Sequence, residues 1–99
     1  MMSTPRPLRV LIVDDSPFMR TVLRQIITSE PGFTVAGEAE DGNAALEALR
    51  TTRPDIVTLD VEMPGRDGIS VLRHVMPKPG VAPIFIMVSA FTTAGASLT

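Results

Sequence analysis

Three carboxylates and a hydroxyl stand at the ends of apolar runs in this sequence, and together they point to one kind of chemistry. Asp14 and Asp15 close the run Leu8-Arg9-Val10-Leu11-Ile12-Val13, Asp60 closes Asp55-Ile56-Val57-Thr58-Leu59, and Ser89 closes Ile84-Phe85-Ile86-Met87-Val88. In an open α/β sheet the ligand crevice lies beyond the carboxyl ends of the strands, so parallel strands would gather all four groups on one rim. Carboxylates crowded there repel, and a divalent cation is the simplest means of keeping them ionised near neutral pH. Oxygen ligands, one distant histidine and no cysteine select magnesium or manganese over zinc. Octahedral magnesium also leaves positions for water and a phosphate. A carboxylate beside such a cation can take a phosphoryl group in line, as a mixed anhydride. Asp60 stands alone after its strand and is the candidate acceptor. Asp14 and Asp15 are adjacent and suit metal ligation, and Ser89 is placed to hydrogen-bond a phosphoryl oxygen.

Each residue also has a plain structural reading. An Asp-Asp pair before Ser16-Pro17 suits a helix cap and the helix dipole. Asp60, Met63-Pro64 and Asp67-Gly68 are ordinary turn chemistry, and Ser89 is an ordinary strand-end hydroxyl. His74, late in a helix near a proline break, reads as a surface histidine. The case for function rests on the combination.

The elements that must position these groups alternate. The first strand, about 8–13, is followed by a helix that Ser16 caps and Pro17 opens, with Met19, Val22, Leu23, Ile26 and Ile27 at helical spacing to about Ser29. Pro31-Gly32 breaks the chain before a second strand at about 33–38, and Asp41-Gly42 opens an alanine- and leucine-rich helix to about Arg50. A third strand at about 55–59, a turn-rich loop, a helix from about Ile69 to Val75 and the break Pro77-Lys78-Pro79-Gly80 precede the fourth strand at 84–88. That strand is apolar throughout, so both its faces expect cover. The rhythm implies a doubly wound α/β sandwich with a parallel sheet, as one domain over residues 1–99.

Composition narrows the function. A net charge of -2 argues against direct nucleic-acid binding, which relies on phosphate attraction. The absence of cysteine excludes disulfides and thiol chemistry and fits a reducing, cytoplasmic setting. No apolar run approaches the roughly 20 residues of a membrane helix, so no membrane association is expected. The 44% hydrophobic content suits strands buried on both faces.

In order and approximate spacing, Val13-Asp14-Asp15-Ser16, Asp60 with Met63-Pro64 and Asp67-Gly68, and Val88-Ser89-Ala90 resemble the response-regulator receiver domains of two-component signalling. Val-Asp-Asp-Ser-Pro-Phe-Met-Arg, Leu-Asp-Val-Glu-Met-Pro and Met-Val-Ser resemble in particular the receivers of chemotaxis protein-glutamate methylesterases. The resemblance implies a flavodoxin-like fold and the order 2-1-3-4-5. It implies Asp60 as phosphoacceptor, Asp14 and Asp15 as the acidic pair, the backbone carbonyl of Glu62 as a further metal ligand, and Ser89 as the switch hydroxyl. It also implies a histidine kinase as phosphodonor and an output domain whose hydrolase is not in this chain, so no esterase activity is expected here.

The chain departs from that pattern at its end. A complete member has a fifth strand followed by a lysine that contacts the phosphoryl group, whereas this sequence stops at Thr99 and its single lysine, Lys78, precedes strand four. The expectation is a receiver missing its fifth strand and last helix, with strand four as an edge that could pair with a second copy. Two other readings compete. One is a phosphorylation-independent interaction or dimerisation module. The other is an aspartate-nucleophile phosphatase, which Asp60-Val61-Glu62 fits only loosely.

Overall fold

Strand β1, Leu8–Val13, is the member around which the sheet is organised. The computed structural model describes residues 6–60, 73 and 83–88. Within them β1 is followed by α1 (Pro17–Thr28), β2 (Phe33–Ala39), α2 (Gly42–Thr52), β3 (Ile56–Asp60) and β4 (Ile84–Val88). All described strand pairs are parallel, and the order is β2-β1-β3-β4. With a neighbour on each side, β1 buries Val10, Leu11, Ile12 and Val13. This is the continuous apolar pattern that a strand covered on both faces requires. The doubly wound α/β class expected from the alternation is observed. The helix expected near 69–75, the turn-rich loop before it, the break at 77–80 and everything after Val88 lie outside the described residues.

Alternation along β1 separates two faces. Leu11 and Val13 join Ala39, Ala45, Val57 and Leu59 in one buried cluster, with Leu46, Leu49 and Phe85 packed on it, so α2 closes this side. Val10 and Ile12 face the other side. The pairing of β1 with β2 is not regular: Val10 aligns with Val35 but Leu11 with Gly37, leaving Ala36 as an extra residue. Such a bulge reverses which face the following side chains occupy. Ala39 thereby falls beside Val13 in the α2 cluster, and Glu38 falls beside Ile12, on the face of α1.

Boundaries shift slightly from the expected ones. Helix α2 runs to Thr52 rather than Arg50, because its carbonyls find partners. Arg9 Nη1 donates to the oxygens of Thr52 (2.5 Å) and Arg53 (2.9 Å), and Arg53 ends the helix in the left-handed region at φ 48°. Pro54 follows, which disfavours the helical region for the residue before it. Strand β3 begins one residue later than expected. Asp55 lies just outside it, with Oδ2 accepting the Arg9 N–H at 2.8 Å and Oδ1 facing Arg6 at 3.3 Å.

Among the described residues, strand β4 receives cover on one face only. Phe85 packs against the α2 cluster, but Ile84 and Ile86 are 64% and 47% exposed and Met87 is partly exposed as well. Helix α1 lies over β1 and β2, and β4 is the outer strand of the described sheet. Helix α1 is correspondingly thinly buried: it contains no fully buried residue, and Ile26, expected on its inner stripe, is exposed.

The hydrogen bond from the Arg9 backbone, with help from the Arg6 charge and against partial desolvation, holds the Asp55 carboxyl below its ordinary value of 3.8. A depressed folded-state value gives stability that is present above 3.8 and lost as pH falls through the lower folded value. Urea unfolding from about pH 6 to about pH 3 should therefore show the advantage of the wild type over Asp55→Asn shrinking toward the acid end. Separately, the Thr58 hydroxyl is buried and has no hydrogen-bond partner among the described residues. Thr58→Val keeps the shape and removes the unsatisfied group, so the urea midpoint should rise, by about 1 kcal/mol in stability.

Candidate functional site

Strands β1 and β3 run side by side, with Val13 aligned to Leu59, so the residues at their carboxyl ends meet. Asp14 follows the last residue of β1, and Asp60 is itself the last residue of β3, paired with Val88 of β4. Carboxylate oxygens of Asp14, Asp15 and Asp60 all lie within 4.8 Å of one another. Asp14 and Asp60 are only 1% and 6% exposed, while Asp15 faces solvent. The chain has placed two acids in the protein and one at its mouth.

Asp14 is the most constrained of the three. Its N–H donates to Ala39 O at 3.0 Å, which continues the β1–β2 ladder one step past the strand. Its Oδ1 accepts the Ser16 N–H at 2.9 Å, and its carbonyl accepts from Arg20 Nη1 at 2.7 Å. Ser16 also caps α1 by accepting the Met19 N–H at 3.2 Å, and Pro17 opens the helix. The helix therefore starts beside the acids, with its positive end toward them. The structural reading of Ser16-Pro17 as a helix start holds, and it serves the site at the same time.

Hard oxygen donors in this number suit magnesium or manganese, so the chemistry of the donor set fits a divalent cation. The sequence singled out Asp14, Asp15 and Asp60, and the structure brings those three together. Glu62, Ser89, Met63-Pro64, Asp67-Gly68, His74 and Lys78 lie outside the described residues. Sequence reasoning missed Arg20 and Glu38. The available signals were a cation one turn into the helix after the acidic pair, and a glycine inside a strand, which marks a bulge.

The profile of the response regulator receiver domain matches residues 10–97. The protein-glutamate methylesterase/protein-glutamine glutaminase of Pyrococcus abyssi is 54% identical over 96 residues, covering 97% of this chain and 26% of the relative. The chain thus spans about a quarter of the length of the curated relatives it matches. The response regulator domain of Thermotoga maritima CheB superposes with a TM-score of 0.77 at 48% identity, over 94% of this chain and 68% of that one. A CheX-CheY-BeF3-Mg2+ complex from Borrelia burgdorferi gives 0.77 at 44% identity, over 88% of this chain and 65% of that one.

Repulsion among the acids is testable without any ligand. The Asp15 carboxylate takes no hydrogen bond among the described residues, so Asp15→Asn removes charge and leaves the local bonding intact. In EDTA at low salt, this variant should be more stable than the wild type by about 0.5 kcal/mol, and added salt should shrink the difference. Urea unfolding at two ionic strengths reads both effects.

Proposed function

Because the chain belongs to the response regulator receiver domain family, we propose that it is a phosphorylation switch in which Asp60 accepts a phosphoryl group from a histidine kinase. The observation that carries this reading is the convergence of Asp14, Asp15 and Asp60 within 4.8 Å at the carboxyl ends of β1 and β3. Asp14, Asp15 and Asp60, with the backbone carbonyl of Glu62, would hold Mg2+. That ion supplies charge neutralisation for the acids and for the phosphoryl oxygens. A carboxylate oxygen of Asp60 attacks phosphorus in line. The new P–O bond forms as the P–N bond to the donor imidazole breaks, and the imidazole leaves with a proton. Ser89, after β4, is the hydroxyl assigned to a phosphoryl oxygen. Its movement toward the new charge would repack the surface that a partner reads. The BeF3 and Mg2+ of the Borrelia burgdorferi complex are the ligand pair this reading requires, BeF3 standing in for the phosphoryl group.

The methylesterase relatives are about four times longer than the span they share with this chain. We therefore assign the chain the regulatory role in a chemotaxis methylesterase of the cytoplasm, with the hydrolase as output and no esterase activity in these residues. Association of two copies through β4 is a second reading, favoured by the exposure of Ile84 and Ile86 on the outer strand of the described sheet. Sedimentation at micromolar concentration separates the two, since a monomer removes the second reading and leaves the first.

Intact mass after treatment with acetyl phosphate and Mg2+ tests the main proposal. One phosphoryl adduct is expected on the wild type and none on Asp60→Asn. An adduct on both, or none on a folded wild type, would refute it.

A further inference from the structure

A charged cluster behind the acids is not used by the chemistry described above. Arg20 lies one turn into α1. Its Nη1 donates to the Asp14 carbonyl at 2.7 Å, and its Nε donates to Glu38 Oε1 at 3.2 Å. The other oxygen of Glu38 accepts from Arg24 Nε at 2.6 Å, one helical turn further on. Arg20 is thus held from one side by a carboxylate and directs another of its donors to the backbone of a buried acid. We propose that Arg20, clamped by Glu38, is a positioning residue that fixes Asp14 for cation binding, and that the bulge at Ala36 exists to aim Glu38 at it.

Three observations converge on this. First, the bulge decides the face. In a regular ladder continued from Val10 and Val35, with Ala36 paired to Leu11, Glu38 would align with Val13 and point into the apolar α2 cluster; because Ala36 is skipped, Glu38 aligns with Ile12 and meets α1. Second, the bond from Arg20 completes the anchoring of Asp14. Its N–H is tied to Ala39 and its Oδ1 to Ser16, so the carbonyl is the remaining backbone group and Arg20 takes it. Groups that orient a metal ligand in this way, from behind it, commonly set affinity by tenfold or more. Third, Glu38 is bonded to both arginines, which ties α1 to β2 and restricts where the Arg20 guanidinium can lie. Two guanidiniums share one carboxylate, so the cluster keeps a net positive charge, and geometry and field predict different outcomes for its variants.

This inference rests on the reading of the acids as a Mg2+ site, and the test separates the two. Mg2+ alone is titrated calorimetrically into the wild type and into Arg20→Gln, Arg20→Lys, Arg24→Gln and Glu38→Gln, each checked for folding by urea unfolding. Positioning predicts weaker binding for both Arg20→Gln and Glu38→Gln, by about tenfold for the former. Arg20→Lys should fall between, since one ammonium cannot serve Glu38 and the carbonyl in the fixed fork of a guanidinium. Arg24→Gln, with the same charge change but no contact to Asp14, should stay within about twofold. A pure charge effect predicts opposite signs, with Arg20→Gln tighter and Glu38→Gln weaker, and that result would overturn the proposal. So would unchanged affinity in Arg20→Gln beside a wild type that binds. A wild type that takes no Mg2+ overturns the metal reading and this inference with it. A metal-free readout completes the set: in EDTA, the Asp14 amide should exchange with solvent faster in Arg20→Gln than in Arg24→Gln, and equal rates would count against positioning.

Discussion

Like charges brought together at a strand end are the constraint on which the rest of this molecule depends. Asp14 and Asp60 are buried beside each other with Asp15 at the opening, and water cannot screen them as it would on a surface. Such a cluster persists only when the backbone beneath it is held firmly. Strand β1 provides that hold by pairing on both sides, and the ladder continues past it through Asp14 N–H to Ala39. The start of α1, the Ser16 cap and the Arg20 contact then close around the same residue. The repulsion is thereby held in a site that a divalent cation would relieve, as the proposed phosphoacceptor role requires.

The two faces of the sheet do different work. On the α2 side, Leu11, Val13, Val57 and Leu59 pack with Ala45 and Ala39 into a dry cluster, which contributes most of the apolar burial among the described residues. On the α1 side, burial is thinner and polar contacts take over: Glu38 joins β2 to α1 through two arginines, and the Thr58 hydroxyl has no partner among the described residues. Exposed Ile84 and Ile86 continue that face outward. A region with few buried apolar contacts opens more readily than a packed core, so motion linked to the site is expected first on this side.

Much of this arrangement was legible in the sequence. Abrupt ends of β-branched runs at Asp14, Asp15 and Asp60 marked both the strands and the rim, since parallel topology leaves few other places for them. Ser16-Pro17 and Asp41-Gly42 gave both helix starts, because capping is a local interaction. Helix ends were less legible. Thr52 stays helical because Arg9, 43 residues away, supplies a donor to its carbonyl. The apolar run at β4 marked a strand, and the exposure of Ile84 and Ile86 agrees with its expected place at a sheet edge. The bulge was the largest omission: period-two alternation puts Glu38 on the wrong face, and only the register with β1 reveals the partner it meets.

The central claim is that the side chain of Asp60, and no other acid of the cluster, forms the anhydride. Borohydride reduces an acyl phosphate to an alcohol, which would convert a phosphorylated aspartate to homoserine at its own position. Peptide mass analysis after phosphorylation and reduction should find homoserine at position 60 alone. Homoserine at position 14 or 15, or none at all in a chain that carries phosphate, would contradict the account.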